Sequence, residues 1–189
     1  MPQSSLLKPA DIIAQTENWL DKAVIGLNLC PFAKAVQIKK QIRYVVSEAT
    51  TPEALLEDLG KELETLAEAN PEKIETTLLI HPMVLTDFLD FNDFLEVTEN
   101  LLEELELDGQ LQIAHFHPDY QFAGTEPDDI ENFTNRAPFP TLHLLREESI
   151  DRAVAVFPDA EVIYEKNIQT MQDLGHEGWR RLFSNYTRK

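Results

Sequence analysis

The sequence has a single cysteine, Cys30, among its 189 residues. One thiol cannot form an internal disulfide, and it cannot build a cysteine-based zinc finger. The six glycines form neither a GxGxxG motif nor a Walker-type phosphate loop, which disfavours a standard nucleotide-binding fold. The GxSxG motif of α/β-hydrolases and the HExxH motif of zinc proteases are also missing.

Basic residues are scarce as well. The chain has 16 Lys and Arg against 34 Asp and Glu, a formal net charge of −18. Such a surface repels phosphate backbones and anionic membranes, so we expect neither a nucleic-acid nor a membrane partner. No apolar run approaches the roughly 20 residues that span a bilayer, and the first residues lack the basic and apolar regions of an export signal. We therefore expect a cytoplasmic protein.

The composition of the chain is that of a globular protein, with 43% hydrophobic and 26% charged residues. Its length suits one domain with a substantial core. No repeat, low-complexity segment or linker divides it. We predict that residues 1–189 form one globular domain, in which residues 1–9 are a loose lead-in.

Apolar periodicity predicts an alternation of helices and strands. The expected helices are 11–28, 52–70, 87–105, 149–155, 164–174 and 178–183, and the expected strands are 41–48, 76–80, 111–117 and 141–145. The last strand could instead join the helix that follows it, and Pro158-Asp159 is expected to be a break. This order predicts an α/β or α+β fold, in which helices pack on a partly parallel sheet of about four strands.

Cys30 stands directly before Pro31, a residue that suits the first position of a helix. We therefore predict that Cys30 is a helix N-cap. The helix dipole, together with Lys34 one turn further on, would stabilise a thiolate at that position. Cys30 is thus a candidate nucleophile, and the alternative is that it packs as a small apolar side chain.

Two predicted strands end on the same dipeptide, His-Pro, at His81 and His117. If the strands are parallel, both histidines lie at the carboxyl edge of the sheet, where open α/β sheets bind ligands. His115 and His117 would share one face of a strand, with Cα atoms about 6.5 Å apart, and could bind one divalent metal ion. A third ligand could come from His143, Asp119 or His81. Metal-free acid–base use and a purely structural role are the alternatives.

An irregular segment, residues 118–140, follows these histidines. A long loop in a compact domain is usually either functional or disordered, and the aromatic residues of this one argue against disorder. Asp119 could orient an imidazole, ligate a metal or act as a base. Arg136 could bind a carboxylate or phosphate in bidentate fashion. The alternative for Arg136 is a salt bridge with an acidic residue of the same loop.

Several blocks of the chain resemble a bacterial family catalogued as domain of unknown function 1415. They are Trp19 with VIGLNLCPFA (24–33), HPDYQFAG (117–124), NRAPFPTLHLLRE (135–147) and Gly178-Trp179. The blocks extend over nearly the whole chain. The resemblance implies a cytoplasmic bacterial protein of one domain, and it brings no catalytic residue with it.

Three functions are compatible with these patterns. The first is an enzyme that acts on a small, anionic metabolite in a pocket at the carboxyl edge of the sheet. In it, His117 and Asp119 would perform acid–base chemistry or share a metal ion with His115, and Arg136 would hold the substrate anion. The second is a non-catalytic domain that binds a ligand or another protein. The third is a thiol-dependent enzyme that uses Cys30.

Overall fold

The computed structural model describes residues 7–156 and 160–184. The helices are α1 (Pro9–Trp19), which continues as a π-helix (Leu20–Ile25), α2 (Ala33–Ile38), α3 (Pro52–Glu68), α4 (Phe88–Glu104), a 3-10 helix (Ile130–Asn135), α5 (Glu147–Val156) and α6 (Ala160–Phe183). The strands are β1 (Ile42–Val46), β2 (Thr76–Ile80), β3 (Leu111–Phe116) and β4 (Thr141–Arg146). Within the described ranges, no helix has both the length and the apolarity needed to cross a bilayer. The expected break at Pro158-Asp159 and most of the expected lead-in lie outside these ranges.

The four strands form one mixed sheet in the order β1-β2-β4-β3. β1 and β2 are parallel, whereas β4 lies between β2 and β3 and is antiparallel to both. β1, β2 and β3 therefore run in one direction and end at the same edge of the sheet. The predicted α/β class and the partly parallel, four-stranded sheet are confirmed. Residues 141–145 do form a strand, and it is an inner one.

Each face of the sheet carries a different layer of helices. On one face, Leu79, Leu142 and Leu144 pack against the leucines and phenylalanines of α3 and α4, which form the main core. On the other face, Phe116 packs edge-on against Trp19 of α1 with ring centroids 5.1 Å apart. Phe183, at the end of α6, packs against the same smaller cluster. The sheet is thus covered on both sides, as expected when helices connect its parallel strands.

Two predicted helix starts are confirmed by their caps. The Thr51 hydroxyl accepts a hydrogen bond from the Ala54 N–H at the start of α3. The Asp87 carboxylate accepts hydrogen bonds from the N–H groups of Leu89 and Asp90 at the start of α4. Such caps satisfy backbone donors that have no partner within the helix.

The prediction that Cys30 is a helix N-cap is wrong. α2 begins at Ala33, with Phe32 as its N-cap residue. Cys30 lies in the preceding turn, and its carbonyl accepts a hydrogen bond of 3.3 Å from the Ala33 N–H. Proline at position 31 is therefore part of this turn and not the first residue of α2. The thiol does not stand at the position from which a helix dipole would act on it.

The first predicted helix, 11–28, is not α-helical throughout. From Leu20 to Ile25 the chain forms a π-helix, and the Gly26 N–H donates to the Asp21 carbonyl at 3.0 Å. A Cβ atom on Gly26 would lie 2.3 Å from the Lys22 carbonyl oxygen, so this close approach requires glycine. The buried residues Thr16, Trp19, Leu20, Ala23 and Val24 keep the three- and four-residue spacing of an α-helix through this segment, so periodicity alone predicts an ordinary helix.

Arg146, at the end of β4, closes the carboxyl end of α3. Its Nη2 atom donates to the carbonyl oxygens of Leu66, Ala69 and Ile74 at 2.7, 2.9 and 3.0 Å. The last carbonyls of a helix have no partner within the helix, and a cation also interacts favourably with that end of the helix dipole. One side chain thus connects α3, the segment after it and the sheet.

We predict that the Arg146→Met substitution lowers the free energy of unfolding by about 2–3 kcal/mol, because several carbonyls lose a charged donor. Urea denaturation followed by circular dichroism measures this change. Arg152→Met is the matched control: the Arg152 side chain is 61% exposed in its ion pairs, so its loss should cost less than about 1 kcal/mol. Equal destabilisation by the two substitutions would contradict the capping role of Arg146.

Candidate functional site

His81 and His117 follow β2 and β3 and lie at the same edge of the sheet, as predicted. Both residues are fully buried. Their rings lie on the same face of the sheet, because each packs against Phe91 of α4, with ring centroids 5.6 and 5.1 Å from it. The backbone N–H of His81 donates to the Pro140 carbonyl, and that of His117 donates to the Asn135 carbonyl. The two histidines thus join the strand ends to the segment that leads into β4.

Both ring nitrogens of His117 have backbone partners. Nδ1 accepts a hydrogen bond of 3.0 Å from the Asp119 N–H. Nε2 lies 3.2 Å from the Leu85 carbonyl oxygen, and a carbonyl can only accept, so Nε2 carries the proton. These two bonds require the neutral Nε2–H tautomer. Desolvation by burial lowers the pKa of His117, which favours the same neutral form.

His117 therefore has no nitrogen left for a substrate or a metal ion in this arrangement. Its hydrogen bonds connect Leu85, just before α4, to Asp119, just after β3. Leu85 has a positive φ of 55°, which is uncommon for a residue other than glycine. The hydrogen bond to its carbonyl helps to hold this conformation. The geometry gives His117 a positioning role instead of the predicted acid–base role.

The other two predicted metal ligands are separated by the sheet. His143 is paired across the strands with Ala114, whereas His115 is paired with Leu142. Neighbouring residues of a strand point to opposite faces, so His115 and His143 lie on opposite sides of the sheet. His143 Nε2 lies 2.7 Å from the Thr76 hydroxyl oxygen. Because the Thr76 hydroxyl donates its proton to the Leu144 carbonyl at 2.6 Å, Nε2 is the donor of the first bond. The expectation that His115, His117 and His143 share one ion is corrected by this register, and the part of the chain that the structure describes contains no other trio of metal-ligating side chains.

His115 packs into the base of the loop. Its ring stacks on Tyr120, with centroids 5.6 Å apart and an angle of 18° between the planes. Tyr120 also packs against Phe88 at the start of α4, with centroids 5.2 Å apart. The loop is therefore attached to both β3 and α4 through aromatic contacts, and His115 acts as part of the packing.

The loop is folded around one buried amide, that of Asn132. Its Oδ1 accepts hydrogen bonds from the Phe122 N–H at 2.9 Å and the Thr125 hydroxyl at 2.8 Å, and its Nδ2 donates to the Glu126 carbonyl at 2.8 Å. Asn132 itself is fully buried in the 3-10 helix. Periodicity places this residue in a polar loop but assigns it no role, because hydrogen bonds within a loop leave no periodic pattern.

Arg136 holds the same loop through backbone carbonyls. Its Nε donates to the Tyr120 carbonyl at 3.1 Å, and its Nη2 donates to the Pro127 carbonyl at 2.6 Å. The guanidinium carbon lies 4.3 Å from the centroid of the Phe133 ring, a cation–π contact. No ion pair with Arg136 occurs among residues 7–156 and 160–184. The predicted alternative, a salt bridge within the loop, is not what the structure contains.

Asp119 and Arg136 line one open cleft of about 430 Å³, which we call the edge cleft. Its other walls come from the start of α4 and from the loop: Thr86, Asp87, Phe88, Leu89, Gln121, Pro127 and Asp128. The cleft thus lies at the carboxyl edge of the sheet. Leu89, with 70% of its side chain exposed, provides an apolar wall beside the charged groups. In the sequence, Thr86-Asp87 indicated only the start of a helix, so this wall of the edge cleft was not predicted.

The charges of the edge cleft are mixed. Three carboxylates, those of Asp87, Asp119 and Asp128, share it with one guanidinium. Burial lowers the pKa of Arg136, and the nearby Asp119 and Asp128 oppose that shift, so the guanidinium stays charged. It has five N–H donors, of which the carbonyls of Tyr120 and Pro127 use two.

Cys30 lies away from the edge cleft. Like Tyr44 and Phe116, it packs against the smaller hydrophobic cluster. Phe116 belongs to the face of the sheet opposite to the one that His115 occupies. The structure therefore does not bring Cys30 together with Asp119 and Arg136 on one wall.

We predict that Asn132→Leu loosens the loop more than the sheet. The substitution keeps the volume but leaves the Phe122 N–H and the Glu126 carbonyl without a partner, at a cost of about 1–3 kcal/mol for each buried group. Hydrogen exchange of residues 119–128 should accelerate strongly, whereas β2 should retain its protection. Asn132→Asp, which retains the acceptor oxygen, should have a smaller effect at Phe122. Unchanged exchange in the leucine variant would contradict this role.

We also predict that the protein becomes less stable as the pH falls, because it buries histidines in their neutral form. Desolvation lowers the pKa of His81 to about 4, below the value of 6.5 in an unfolded chain. The unfolded state therefore binds the proton first, so the stability from neutral His81 is complete above pH 6.5 and is lost as the pH falls towards 4. A shift of this size corresponds to at most about 3 kcal/mol.

The measurement compares the wild type with His81→Asn, which can still donate towards the Val84 carbonyl that His81 Nδ1 contacts at 3.0 Å. Carboxylates contribute equally to both proteins. Urea midpoints across this pH range should fall less steeply for the variant, and parallel curves would refute the assignment to His81.

A family model described as "Protein of unknown function (DUF1415)" matches residues 11–181 of the chain. No curated protein and no solved structure matches the chain.

Proposed function

We propose that this chain, which belongs to the DUF1415 family, binds a small polar metabolite in the edge cleft and acts on it by acid–base chemistry through Asp119. One observation carries the proposal: Asp119 and Arg136 line the same cleft, although 16 residues of loop separate them in the sequence. The Asp119 backbone N–H binds the His117 ring, and the Arg136 side chain binds two loop carbonyls. A group that transfers a proton must lie within hydrogen-bond reach of its substrate, and one small metabolite in this cleft can reach both residues.

Arg136 is suited to hold an anionic part of the metabolite. Its guanidinium is half-buried, and the loop carbonyls already fix its orientation. A guanidinium in a fixed orientation loses little freedom when it binds a carboxylate or phosphate. The free N–H groups can then form charge-assisted hydrogen bonds, which are about twice as strong as neutral ones.

The three carboxylates indicate that the metabolite also carries positive charge or several hydroxyl donors. A purely anionic compound would meet Asp87, Asp119 and Asp128 around one guanidinium, and the repulsion would oppose its binding. A zwitterion or a polyol with one anionic group avoids this repulsion. We therefore narrow the predicted anionic substrate to a compound of mixed charge.

Asp119 is the acid–base residue of this proposal. Its backbone N–H is bound to the buried ring of His117, and its carboxylate is exposed to the edge cleft. A carboxylate that projects from a fixed backbone can accept a proton from a bound substrate or orient a water molecule. His117 would contribute indirectly, by holding Asp119 in place.

Binding without turnover is the second candidate. It is favoured by the absence of an imidazole or a thiol from the edge cleft, as far as the described residues define its wall. Histidine is the commonest acid–base residue, and here the ring of His117 is committed to the backbone. The same pair, Asp119 and Arg136, would then select a ligand without changing it.

The binding test uses three four-carbon probes: succinate, butane-1,4-diamine and 4-aminobutanoate. Nuclear magnetic resonance should detect shifts of the Asp119 and Arg136 amide signals, largest for 4-aminobutanoate. Arg136→Met should weaken the binding of 4-aminobutanoate about tenfold, a loss of about 1.4 kcal/mol. Arg152→Met, which changes an exposed arginine elsewhere, should leave it unchanged. No shift of the two signals with any probe would contradict a charged ligand site in this cleft.

The catalytic test follows compounds that co-purify with the protein. In the proposed enzyme, the wild type converts the bound compound, whereas Asp119→Asn binds it but reacts about 10²–10⁴ times more slowly. Mass spectrometry over time measures the conversion. If both proteins retain the compound unchanged, the second candidate, binding without turnover, replaces the first.

A further inference from the structure

A second cleft, of about 520 Å³, lies beside the edge cleft, and we call it the aromatic cleft. Its walls are Asp128, Phe133, His176, Trp179 and Arg180. Three of these five side chains are aromatic rings. The sequence block Gly178-Trp179 has no role in the proposed function, and the aromatic cleft is where the structure places it.

A break in α6 builds the aromatic cleft. Gly175 has φ 64° and ψ 173°, values outside the helical range, and a residue with a side chain rarely adopts such a positive φ. Beyond this kink, the rings of His176 and Trp179 each meet Phe133 of the 3-10 helix edge to face, with centroids 5.4 Å apart. Since Trp179 is only half-buried and His176 is exposed, ring surface remains open to a ligand.

The two clefts adjoin each other. Asp128 lines both of them. Phe133 lines the aromatic cleft, and its ring also contacts Arg136, a residue of the edge cleft, at 4.3 Å. A ligand whose charged group lies near Asp128 can therefore extend into either cleft.

We propose that the aromatic cleft is a second subsite, which binds a flat apolar group of the same ligand next to an ammonium group held by Asp128. This proposal rests on the proposed function, in which the edge cleft holds the polar part. Aromatic rings favour edge-to-face and offset-stacked partners, and ring faces also attract cations. The Asp128 carboxylate adds a charged acceptor. The ligand class is thus a small zwitterion that carries an ammonium group and an aromatic or similarly flat group, with its anionic group at Arg136 in the edge cleft.

The test uses the full chain and three probes: 2-phenylethylamine, ethylamine, which lacks the ring, and 2-phenylethanol, which lacks the charge. The side-chain N–H signal of Trp179 reports on the aromatic cleft. The other tryptophan, Trp19, is 3% exposed and serves as an internal reference. We expect 2-phenylethylamine to shift the Trp179 signal strongly, 2-phenylethanol to shift it weakly and ethylamine to leave it in place.

Asp128→Asn is the decisive variant, because Asp128 is exposed and its loss should not disturb folding. It should weaken binding of 2-phenylethylamine about tenfold and leave 2-phenylethanol unchanged. Trp179→Phe retains a ring and should preserve the binding of 2-phenylethylamine, although the variant lacks the Trp179 side-chain N–H signal. In this variant, shifts of the Asp128 amide signal report the binding. A Trp179 signal unmoved by both phenyl compounds, or equal binding of the amine by Asp128→Asn, would overturn the subsite.

Failure of this proposal is distinguishable from failure of the proposed function. If 4-aminobutanoate shifts the Asp119 and Arg136 amide signals while phenyl compounds leave Trp179 unmoved, the edge cleft stands and the subsite is overturned. If Trp179 responds and the two amide signals respond to no probe, the aromatic cleft stands alone. The claim of one shared ligand is then overturned together with the proposed function.

Discussion

The arrangement of the candidate site depends on the buried imidazole of His117. This ring connects the backbone before α4, through Leu85, with the backbone after β3, through Asp119. Neither hydrogen bond belongs to a helix or a strand, so without the ring only packing contacts would join the two segments. Because both ring nitrogens bind backbone groups inside the protein, the imidazole supports the site without reaching it. Such a hydrogen-bonded buried ring also avoids the cost of an unsatisfied polar group.

The sheet explains why the two connected segments meet. β4 returns antiparallel between β2 and β3, so both of its neighbours end at the edge where β4 begins. The long loop must therefore cross this edge before it enters the sheet. Asn132 folds the loop on itself, and Arg136 and Phe133 of the loop contact each other. Arg136 lines the edge cleft, Phe133 lines the aromatic cleft, and Asp128 belongs to both.

Much of the fold could be predicted from the sequence, because strands and capped helices leave local signals. Thr76–Ile80 is a short run of β-branched residues and leucines, typical of a buried strand, and Thr51-Pro52 marks a helix start. The place of β4 could not be predicted, since strand order depends on contacts far apart in the chain. The face that His143 occupies follows from the pairing register of β3 and β4, which the sequence alone does not give, and so a metal trio was plausible.

The candidate site was predictable in location but not in chemistry. The repeated His-Pro dipeptide correctly indicated an edge shared by His81 and His117. It could not indicate that His117 would be buried with both nitrogens bound, because side-chain burial at a strand end depends on the loop that covers it. Asp87 and Leu89 line the edge cleft, but the sequence around them indicated only the start of a helix. Arg136 was predicted to bind an anion or an acidic residue of the loop, whereas its partners within the loop are backbone carbonyls.

The central claim is that neutral His117 holds Asp119 in place through its unprotonated Nδ1 atom. Two-dimensional nuclear magnetic resonance of ¹⁵N-labelled imidazoles at neutral pH tests it most directly, because the two ring nitrogens differ in shift when only one is protonated. We expect a proton on Nε2 alone, and a ring that stays neutral below pH 6.5, the ordinary pKa of histidine, since burial lowers the pKa of His117. A proton on Nδ1, or a charged ring at neutral pH, would show that His117 does not hold Asp119 in this way.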